Sequence, residues 1–481
     1  MQVPLDSSAV AAKLESPPER PYIFFELTNS LCSTCLTKVE AKIIFQDSNV
    51  YLIKNCLEHG REKVLISTDI EYYKTCRNFL KAGQMPLRFN TKTEFGCPYD
   101  CGICPDHEQH SCLTLIEVTE RCNLACPICY ADSAPSKGRH RTLQEIEFML
   151  DELVKNEGKP DVVQLSGGEP TIHPEFWQIM ELARSRPIKH LMINTNGVKI
   201  ARDKEFARKL ATYMPGFEVY LQFDSLSAAP QLKLRGEDLR SVREQALQHL
   251  NEFEISTTLV VTLSKGLNDH EIGAIIEYAL KQPCVRGVTF QPIQSAGRLE
   301  GFDPAVDRLT LGEVRQMIMA QSKVFSSADI IPVPCHPDCI SMAYALKVEG
   351  QVIPLSGLIS KDVLLNDGRN TIQYENDPAI RAKLFNLFSL NQTPSSSTHA
   401  VGDLLCCLPR LEHPQQLSYK NIFRIIIMEF LDKYNFDVRS VKRTCVHIAH
   451  TDGRIIPFDT YNMFYRDGVD VASLARRKNG V

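Results

Sequence analysis

The chain has 481 residues, of which 43% are hydrophobic and 23% are charged, and its formal net charge is -4. This length exceeds that of a single small binding domain and leaves room for a large catalytic domain with smaller modules. Because acidic residues are in slight excess, the composition excludes a nucleic-acid binder.

The sequence also indicates where the protein works and how it uses cysteine. No apolar run approaches the roughly 18 residues that span a bilayer, and the N-terminus lacks a signal-peptide pattern, so we expect a cytoplasmic protein. In the reducing cytoplasm, clustered cysteines indicate metal ligation rather than disulfides. Eleven of the 17 cysteines lie before residue 130. Metal chemistry therefore begins before the catalytic domain and continues into its start.

Residues 1–20 are polar, contain three prolines and are predicted to be disordered. Residues 21–95 form a small module, in which the alternating stretch AKIIFQDSNVYLIKNC predicts β-strands. Two short metal-binding turns about twenty residues apart predict a tetrahedral site for zinc or a rubredoxin-like single iron. The candidate ligands are Cys32, Cys35, Cys56 and His59, with Cys76 as an alternative to His59.

The next segment, 96–112, reads GCPYDCGICPDHEQHSC and contains four cysteines. Four thiolates complete a closed 4Fe-4S cluster that serves electron transfer or structure, and a structural zinc ion is the alternative. The last cysteine directly precedes a predicted strand, so we expect this cluster at the start of that strand. The candidate ligands are Cys97, Cys101, Cys104 and Cys112.

Strand and helix patterns alternate six times between Leu113 and Arg298, from LTLIEV to VRGVTFQPI. This alternation predicts an α/β fold with a parallel sheet, namely a partial (β/α)6 barrel of the TIM type within residues 113–330. In such barrels, functional residues lie at the carboxyl ends of the strands.

The first barrel strand leads into ERCNLACPICYADS, which contains Cys122, Cys126 and Cys129 in a Cys-x3-Cys-x2-Cys pattern. Three thiolates hold three irons of a 4Fe-4S cluster and leave the fourth iron open to a cofactor or substrate. A structural zinc site is the alternative, but the position at the end of a barrel strand argues against it.

The cysteine loop, followed by SGGEPTIHP after the next strand, resembles the radical S-adenosylmethionine (SAM) superfamily. The resemblance implies that SAM chelates the open iron and is cleaved to a 5'-deoxyadenosyl radical. Glycines allow close backbone approach, and Glu169 can accept hydrogen bonds from the ammonium group of SAM. For Asn196, a simple Asn-Gly turn is an equal alternative. The candidate cofactor-binding residues are Tyr130, Gly167, Gly168, Glu169, Asn194, Asn196, Gln222, Asp224 and Gln291.

Nearly the whole chain, from LCSTC to GRIIPFDTYN, resembles the archaeal tetraether lipid synthase family, also described as dihydro-hydroxymethylpterin methyltransferases. The resemblance implies a mononuclear iron or zinc centre and one or two auxiliary 4Fe-4S clusters. It also implies hydrogen abstraction from an unactivated C–H bond, with carbon–carbon coupling of lipid chains and peripheral contact with a membrane. The alternative is a radical SAM methyltransferase that acts on a pterin or another small molecule. Either reaction requires a low-potential electron donor such as ferredoxin or flavodoxin.

Residues 331–481 are predicted to contain an auxiliary cluster and the substrate region. The turn PCHPDC resembles a cluster-binding turn. The family resemblance implies that the second auxiliary cluster takes Cys335, Cys339 and Cys445. This chain has Asp459 where the family is expected to have a fourth cysteine, so Asp459, Cys406, Cys407 or a solvent or substrate atom completes the cluster. KNIFRIIIMEFLDKYNFD at 420–437 predicts a buried helix, with a membrane-surface helix as the alternative.

Overall fold

A computed structural model describes residues 20–348, 350–358, 362–367, 370–374 and 421–479. The N-terminal part is a four-stranded antiparallel sheet in the order β1-β2-β3-β4. Alternate residues of β2, among them Ala41, Ile43 and Phe45, are buried in a small apolar core. Asp47 and Ser48 connect β2 to β3 with φ of 50° and 64°, as a tight two-residue hairpin requires. The strands are β1 Ile23–Leu31, β2 Lys38–Gln46, β3 Asn49–Cys56 and β4 Gly60–Ser67.

This sheet is attached to the rest of the chain by buried charges. Lys54 Nζ, in β3, donates to the carbonyls of Leu31 and Lys433 at 2.8 and 2.9 Å. Arg77, in helix α1 (Ile70–Asn78), forms ion pairs with Glu26 and Asp338. These contacts hold the N-terminal sheet against the C-terminal part of the chain.

The six predicted barrel strands are present as β5 to β10, and each pairs in parallel with the next. They are β5 Leu113–Thr119, β6 Val162–Gly167, β7 His190–Thr195, β8 Phe217–Gln222, β9 Thr257–Leu263 and β10 Val285–Pro292. The helices are α2 Leu143–Glu157, α3 Phe176–Arg184, α4 Val198–Arg202, α5 Lys204–Ala211, α6 Ala228–Arg235, α7 Arg240–Glu252, α8 Ile272–Lys281 and α9 Leu311–Gln321. The α/β fold class is confirmed.

Amphipathic spacing explains how the helices cover the sheet. In α2, Ile146, Met149, Leu150 and Leu153 are buried, which is the i, i+3, i+4, i+7 pattern of one helix face. Thr142 begins α2 with a capping box. Within the described part of the chain, we find no helix that is both long and apolar enough to cross a membrane.

Two C-terminal strands extend the parallel sheet beyond the prediction. Strand β14 (Ile422–Met428) pairs in parallel with β10, and β15 (Val446–Ala449) pairs in parallel with β5. The remaining strands, all antiparallel to their partners, are β11 Ile331–Pro332, β12 Ile340–Val348, β13 Gln351–Pro354 and β16 Ile455–Pro457. Short helical segments lie at Val438–Val441, Phe458–Thr460, Tyr461–Tyr465 and Val471–Asn479.

The predicted helix over 420–437 is wrong, because its apolar run forms β14. Both faces of this strand are covered, since its consecutive residues from Phe423 to Met428 point to alternate faces and are all buried. Its two edges pair with β10 and β12. A run that is apolar on both faces has no period, so periodicity cannot separate a buried strand from a buried helix. Residues 1–19, the predicted helix RAKLFNLFSL and the linker NQTPSSSTHA lie outside the described residues.

Candidate active site and metal centres

The loop that follows β5 carries the three cysteines of the predicted catalytic cluster. Cys122, Cys126 and Cys129 all line one cavity at the carboxyl end of the strands. Arg298 fixes the loop from the other side, because its Nε donates to the Cys126 carbonyl at 2.6 Å. Its backbone exchanges two hydrogen bonds with Cys129, at 2.9 and 3.0 Å. The three thiols can therefore hold one cluster that opens into the cavity.

The two glycines after β6 allow this loop to pack closely. A Cβ atom at Gly168 would lie 2.0 Å from the Arg121 carbonyl oxygen, and one at Gly167 would lie 2.1 Å from that of Thr119. The φ of Gly167 is also 120°, a conformation that residues with a side chain avoid. Only glycine at both positions leaves room for the backbone of the cysteine loop.

Glu169 is buried, and its carboxylate binds the ends of β6 and β7 together. Its Oε1 accepts hydrogen bonds from the Thr171 and Thr195 hydroxyls at 2.6 and 2.7 Å. Its Oε2 accepts one from the Asn196 backbone N–H at 2.7 Å. Among the described residues that line the cavity, Gly167, Gly168 and Asn196 are present, but Glu169 is not. Its observed contacts are thus those of a positioning residue.

The other predicted cofactor-binding residues form a polar chain across the strand ends. Asn194 Nδ2 donates to Ser166 Oγ at 3.2 Å, and Asn194 Oδ1 accepts from Gln222 at 2.8 Å. The Tyr130 hydroxyl lies 3.2 Å from the same Ser166 Oγ. Gln291 Nε2 donates to the Tyr220 hydroxyl at 3.1 Å. All of these residues except Ser166 line the cavity.

Two arginines that the motif analysis missed complete the polar end of the cavity. Arg235 donates to both carboxylate oxygens of Asp224 at 2.6 Å, and it also donates to Gln222 at 2.9 Å. Asp224 is therefore occupied by an ion pair, which stabilises its charged form. Although burial opposes ionisation, the guanidinium of Arg235 lowers the pKa of Asp224.

Arg243 is fully buried, and none of its three guanidinium nitrogens has a hydrogen-bond partner among the described residues. It lines the cavity, and burial lowers the pKa of its guanidinium to about 10. A sequence signal does exist, because Arg243 shares the buried face of α7 with Ala246, Leu247 and Leu250. A charged residue in such a pattern is informative, since arginine is seldom fully buried unless it is paired.

The inner end of the cavity is apolar and is formed largely by the C-terminal part of the chain. The phenyl rings of Phe430 and Phe458 are 4.1 Å apart, and Phe458 is 5.2 Å from the ring of Tyr130. The apolar side chains that line this end are those of Leu113, Leu115, Met428, Phe430, Val446 and Phe458. The cavity thus joins a polar end beside the cysteine loop to an apolar end.

The N-terminal sheet brings together the four ligands predicted for a tetrahedral metal. The ligand atoms of Cys32, Cys35, Cys56 and His59 all lie within 4.8 Å of one another. His59 Nδ1 is 3.6 Å from the sulfurs of both Cys32 and Cys56. Cys76, on α1, is instead buried in the main core. The residues present fit a single ion with three thiolates and one imidazole.

The remaining cysteines are grouped differently from the prediction. Cys97, Cys101 and Cys104 line one small cavity with His107, but Cys112 lies with Cys335 and Cys445. The reason is strand pairing, because β15 adds to β5 with Val446 opposite Leu113. This register places the residues before the two strands, Cys112 and Cys445, side by side. The predicted set of Cys97, Cys101, Cys104 and Cys112 is therefore divided.

Cys339 and Asp459, also predicted for the C-terminal cluster, make other close contacts. Cys339 Sγ is 3.5 Å from Ser440 Oγ and lines a separate cavity with Cys76. Asp459 is buried and accepts hydrogen bonds from Leu431 N–H and the Thr444 hydroxyl at 2.7 and 3.0 Å. In the described residues, neither Cys339 nor Asp459 belongs to the close group of Cys335 and Cys445. Cys406 and Cys407 lie outside the described residues.

Comparisons with known proteins show which families this chain is similar to. A model of the Radical SAM superfamily matches residues 116–279, and a model of the HMPTM N-terminal zinc ribbon domain matches residues 24–68. The 7,8-dihydro-6-hydroxymethylpterin dimethyltransferase of Methanocaldococcus jannaschii is 32% identical, over 92% of this chain and 94% of its own. The mycofactocin maturase MftC of Mycolicibacterium smegmatis is 31% identical, over 29% of this chain and 34% of its own. The structure of Streptococcus suis SuiB bound to S-adenosylmethionine covers 44% of this chain and 47% of its own, with 16% identity and a TM-score of 0.37.

Proposed function

Because the chain belongs to the radical SAM family that contains 7,8-dihydro-6-hydroxymethylpterin dimethyltransferase, we propose that it is a methyltransferase acting on a pterin or a similar small molecule. The observation that carries this proposal is the similarity to that enzyme over nearly the full length of both chains. This similarity favours the alternative function, a methyltransferase, over the predicted coupling of lipid chains. As a radical SAM enzyme, the protein uses a 4Fe-4S cluster and S-adenosylmethionine.

We assign the cluster to Cys122, Cys126 and Cys129, whose thiols share one cavity. When bound there, the cluster supplies the electron that cleaves SAM homolytically, and a low-potential ferredoxin or flavodoxin is the proposed source of that electron. Arg298 holds the backbone of the loop through Cys126 and Cys129. Arg298 would thereby keep in place the loop whose thiolates would hold the cluster.

For the cofactor, we assign the polar end of the cavity. Gly167 and Gly168 let the backbone approach closely, while Asn194, Gln222 and Asn196 present amides at the strand ends. SAM carries a carboxylate, and the buried guanidinium of Arg243, which lies near the charge of Asp224, has no hydrogen-bond partner in the described structure. A charge-assisted hydrogen bond to that carboxylate satisfies both groups. Glu169 acts indirectly, because its carboxylate holds Thr195 and Asn196 in position.

A second candidate function is coupling or modification of a lipid hydrocarbon chain. The specific observation in its favour is the apolar inner end of the cavity, where Phe430 and Phe458 pack together. An aromatic pterin ring and a hydrocarbon chain both suit an apolar wall, but only the pterin has amide-like edges that need polar partners. Tyr220 and Gln291, which also line the cavity, can supply such partners.

One experiment separates the two candidates. Anaerobically reconstituted protein is incubated with reductant and SAM labelled with deuterium in its methyl group, with either 7,8-dihydro-6-hydroxymethylpterin or archaeal lipid extract added. The proposal predicts 5'-deoxyadenosine together with labelled methyl groups on the pterin, as read by mass spectrometry. Labelled pterin should be absent with Cys126→Ala and present with Cys284→Ser, a control at a buried cysteine outside the cavity. Lipid products that have lost hydrogen, with an unlabelled pterin, would instead establish the second candidate.

A further inference from the structure

Three buried cysteines meet at the opposite end of β5 from the radical loop. Cys112 directly precedes β5, Cys335 lies between β11 and β12, and Cys445 directly precedes β15. Their exposures are 0%, 3% and 0%. Cys112 lies before and Cys122 lies after the seven-residue strand β5, which is about 23 Å long. The group is therefore distinct from the catalytic loop.

The spacing of the three sulfurs fits one metal ion rather than a cluster. All three lie within 4.8 Å of one another, and Cys335 Sγ is 3.6 Å from Cys445 Sγ. Two thiolates about 2.3 Å from one tetrahedral ion are about 3.8 Å apart. The thiolates of a 4Fe-4S cluster bind separate irons at its corners, so their sulfurs lie farther apart than sulfurs that share an ion.

The N-terminal sheet provides an internal comparison. There, where the zinc ribbon model matches, Cys35 Sγ is 3.9 Å from Cys56 Sγ. The cysteines of the radical loop do not form so close a group in the described structure. The spacing of Cys112, Cys335 and Cys445 thus resembles the single-ion site and differs from the loop that holds the radical cluster.

Tyr374 offers an oxygen atom for the fourth position. The residue is 2% exposed, and its hydroxyl has no hydrogen-bond partner in the described structure. Tyr374 belongs to the same buried core as Cys112, Cys335 and Cys445. Tyrosine oxygen is an established ligand of iron in proteins.

Other polar groups also lie close to the thiols. His110 Nε2 is 3.6 Å from Cys112 Sγ, but it is also 2.9 Å from the Asn370 carbonyl. Its Nδ1 is 2.9 Å from Glu157. Cys335 Sγ lies 3.8 Å from the carbonyl of Thr371. Both ring nitrogens of His110 therefore have partners, whereas the Tyr374 hydroxyl and the side-chain oxygen of Asn370 have none in the described structure.

We propose that Cys112, Cys335 and Cys445 bind a single thiolate-coordinated divalent ion, Zn²⁺ or Fe²⁺, with the Tyr374 oxygen as fourth ligand. This site replaces the second auxiliary 4Fe-4S cluster that the family resemblance implies. Its role is structural, because it joins the starts of β5 and β15. At the same place, the N–H groups of Cys112 and Leu113 both donate to the Cys445 carbonyl, at 2.9 and 3.1 Å. The proposal does not depend on the substrate of the enzyme.

Metal and sulfide analysis of full-length protein, purified anaerobically without reconstitution, tests the proposal. Cys335→Ser should lose one metal ion per chain and no acid-labile sulfide. The matched control is Cys339→Ser, a cysteine four positions along that lies outside the group, and it should keep the wild-type metal content. Loss of about four irons together with sulfide would establish a cluster and overturn the single-ion site, as would an unchanged metal content in Cys335→Ser.

Two further measurements keep the test decisive if Cys335→Ser does not fold. Wild-type protein grown with Co²⁺ should show thiolate-to-cobalt absorption from two ions, one bound by the Cys335 group and one bound in the N-terminal sheet. Absorption from the ion in the N-terminal sheet alone would refute the proposed site. Tyr374→Phe should fold and release its ion to a chelator at least about tenfold faster, since a charge-assisted ligand bond is lost. An unchanged release rate would remove Tyr374 from the ligand set.

Discussion

Replacing Arg243 with methionine should weaken SAM binding while stabilising the protein that lacks SAM. The guanidinium is buried without a hydrogen-bond partner in the described structure, and it lines the cavity beside the cysteine loop. A hydrogen bond to a charged group contributes about 1.5–3 kcal/mol, so Arg243→Met should raise the Kd for SAM roughly 10- to 100-fold. An unsatisfied buried group costs about 1–3 kcal/mol, and methionine removes that cost.

The assay compares two variants by SAM binding and by thermal unfolding without SAM. Arg235→Met is the matched control, because it removes the partner of Asp224 and leaves a buried carboxylate unpaired. That variant should lose roughly 3–5 kcal/mol of stability. If Arg243 binds SAM, Arg243→Met should raise the stability of the SAM-free protein, whereas Arg235→Met should lower it. A destabilised Arg243→Met protein that binds SAM with wild-type affinity would refute the reasoning.

Three other changes have expected outcomes. Cys126→Ala should abolish formation of 5'-deoxyadenosine, measured by chromatography, because two thiolates do not hold the cluster in a cofactor-competent position. The zinc or iron ion predicted for the N-terminal sheet should be retained. Gly168→Ala should lower SAM cleavage roughly 10²-fold, since the added Cβ would meet the Arg121 carbonyl at 2.0 Å. The pKa of Glu429 is raised to about 7 by burial, against the opposing charge of Arg308 and with support from Asp432 and Glu313. The folded state therefore keeps a proton that the unfolded state loses, and about 3 kcal/mol of stability should disappear as pH rises from about 4.5 to 7. Chemical denaturation across this pH range should show that fall in the wild type and a flatter curve in Glu429→Gln.

The barrel could be predicted from the sequence because each of its elements carries a local signal. Strands β5 to β10 are short apolar runs, and the helices between them repeat at 3.6 residues. β14 could not be recognised, because a strand covered on both faces has the same apolar run as a buried helix. β15 has only four residues, so its run is too short for either period to show. Its place in the sheet depends on pairing with β5, more than 300 positions away in the chain.

The site residues differ in the same way: some are predicted by local sequence patterns, and others depend on how distant strands pair. The cysteine loop and the Gly-Gly-Glu turn are local patterns, and the structure places Cys122, Gly167 and Gly168 around one cavity. The partner of Cys112, by contrast, is decided by the register of β15 on β5, which spacing along the chain does not encode. Spacing grouped Cys112 with its near neighbours in sequence. Arg243 was also missed, although its position on the apolar face of α7 was a usable signal.

The division of the cavity between two parts of the chain bears on how specificity arises. Residues at the ends of β5 to β8 form its polar end, within the region that matches the Radical SAM superfamily. The apolar end is formed mainly by Met428, Phe430, Val446 and Phe458, all from outside that region. Under the proposed assignment, in which the polar end binds the cofactor and the apolar end the substrate, cofactor binding and substrate choice can change independently. Because Val446 directly follows Cys445, an ion bound by Cys112, Cys335 and Cys445 would also fix the part of the wall that meets the substrate.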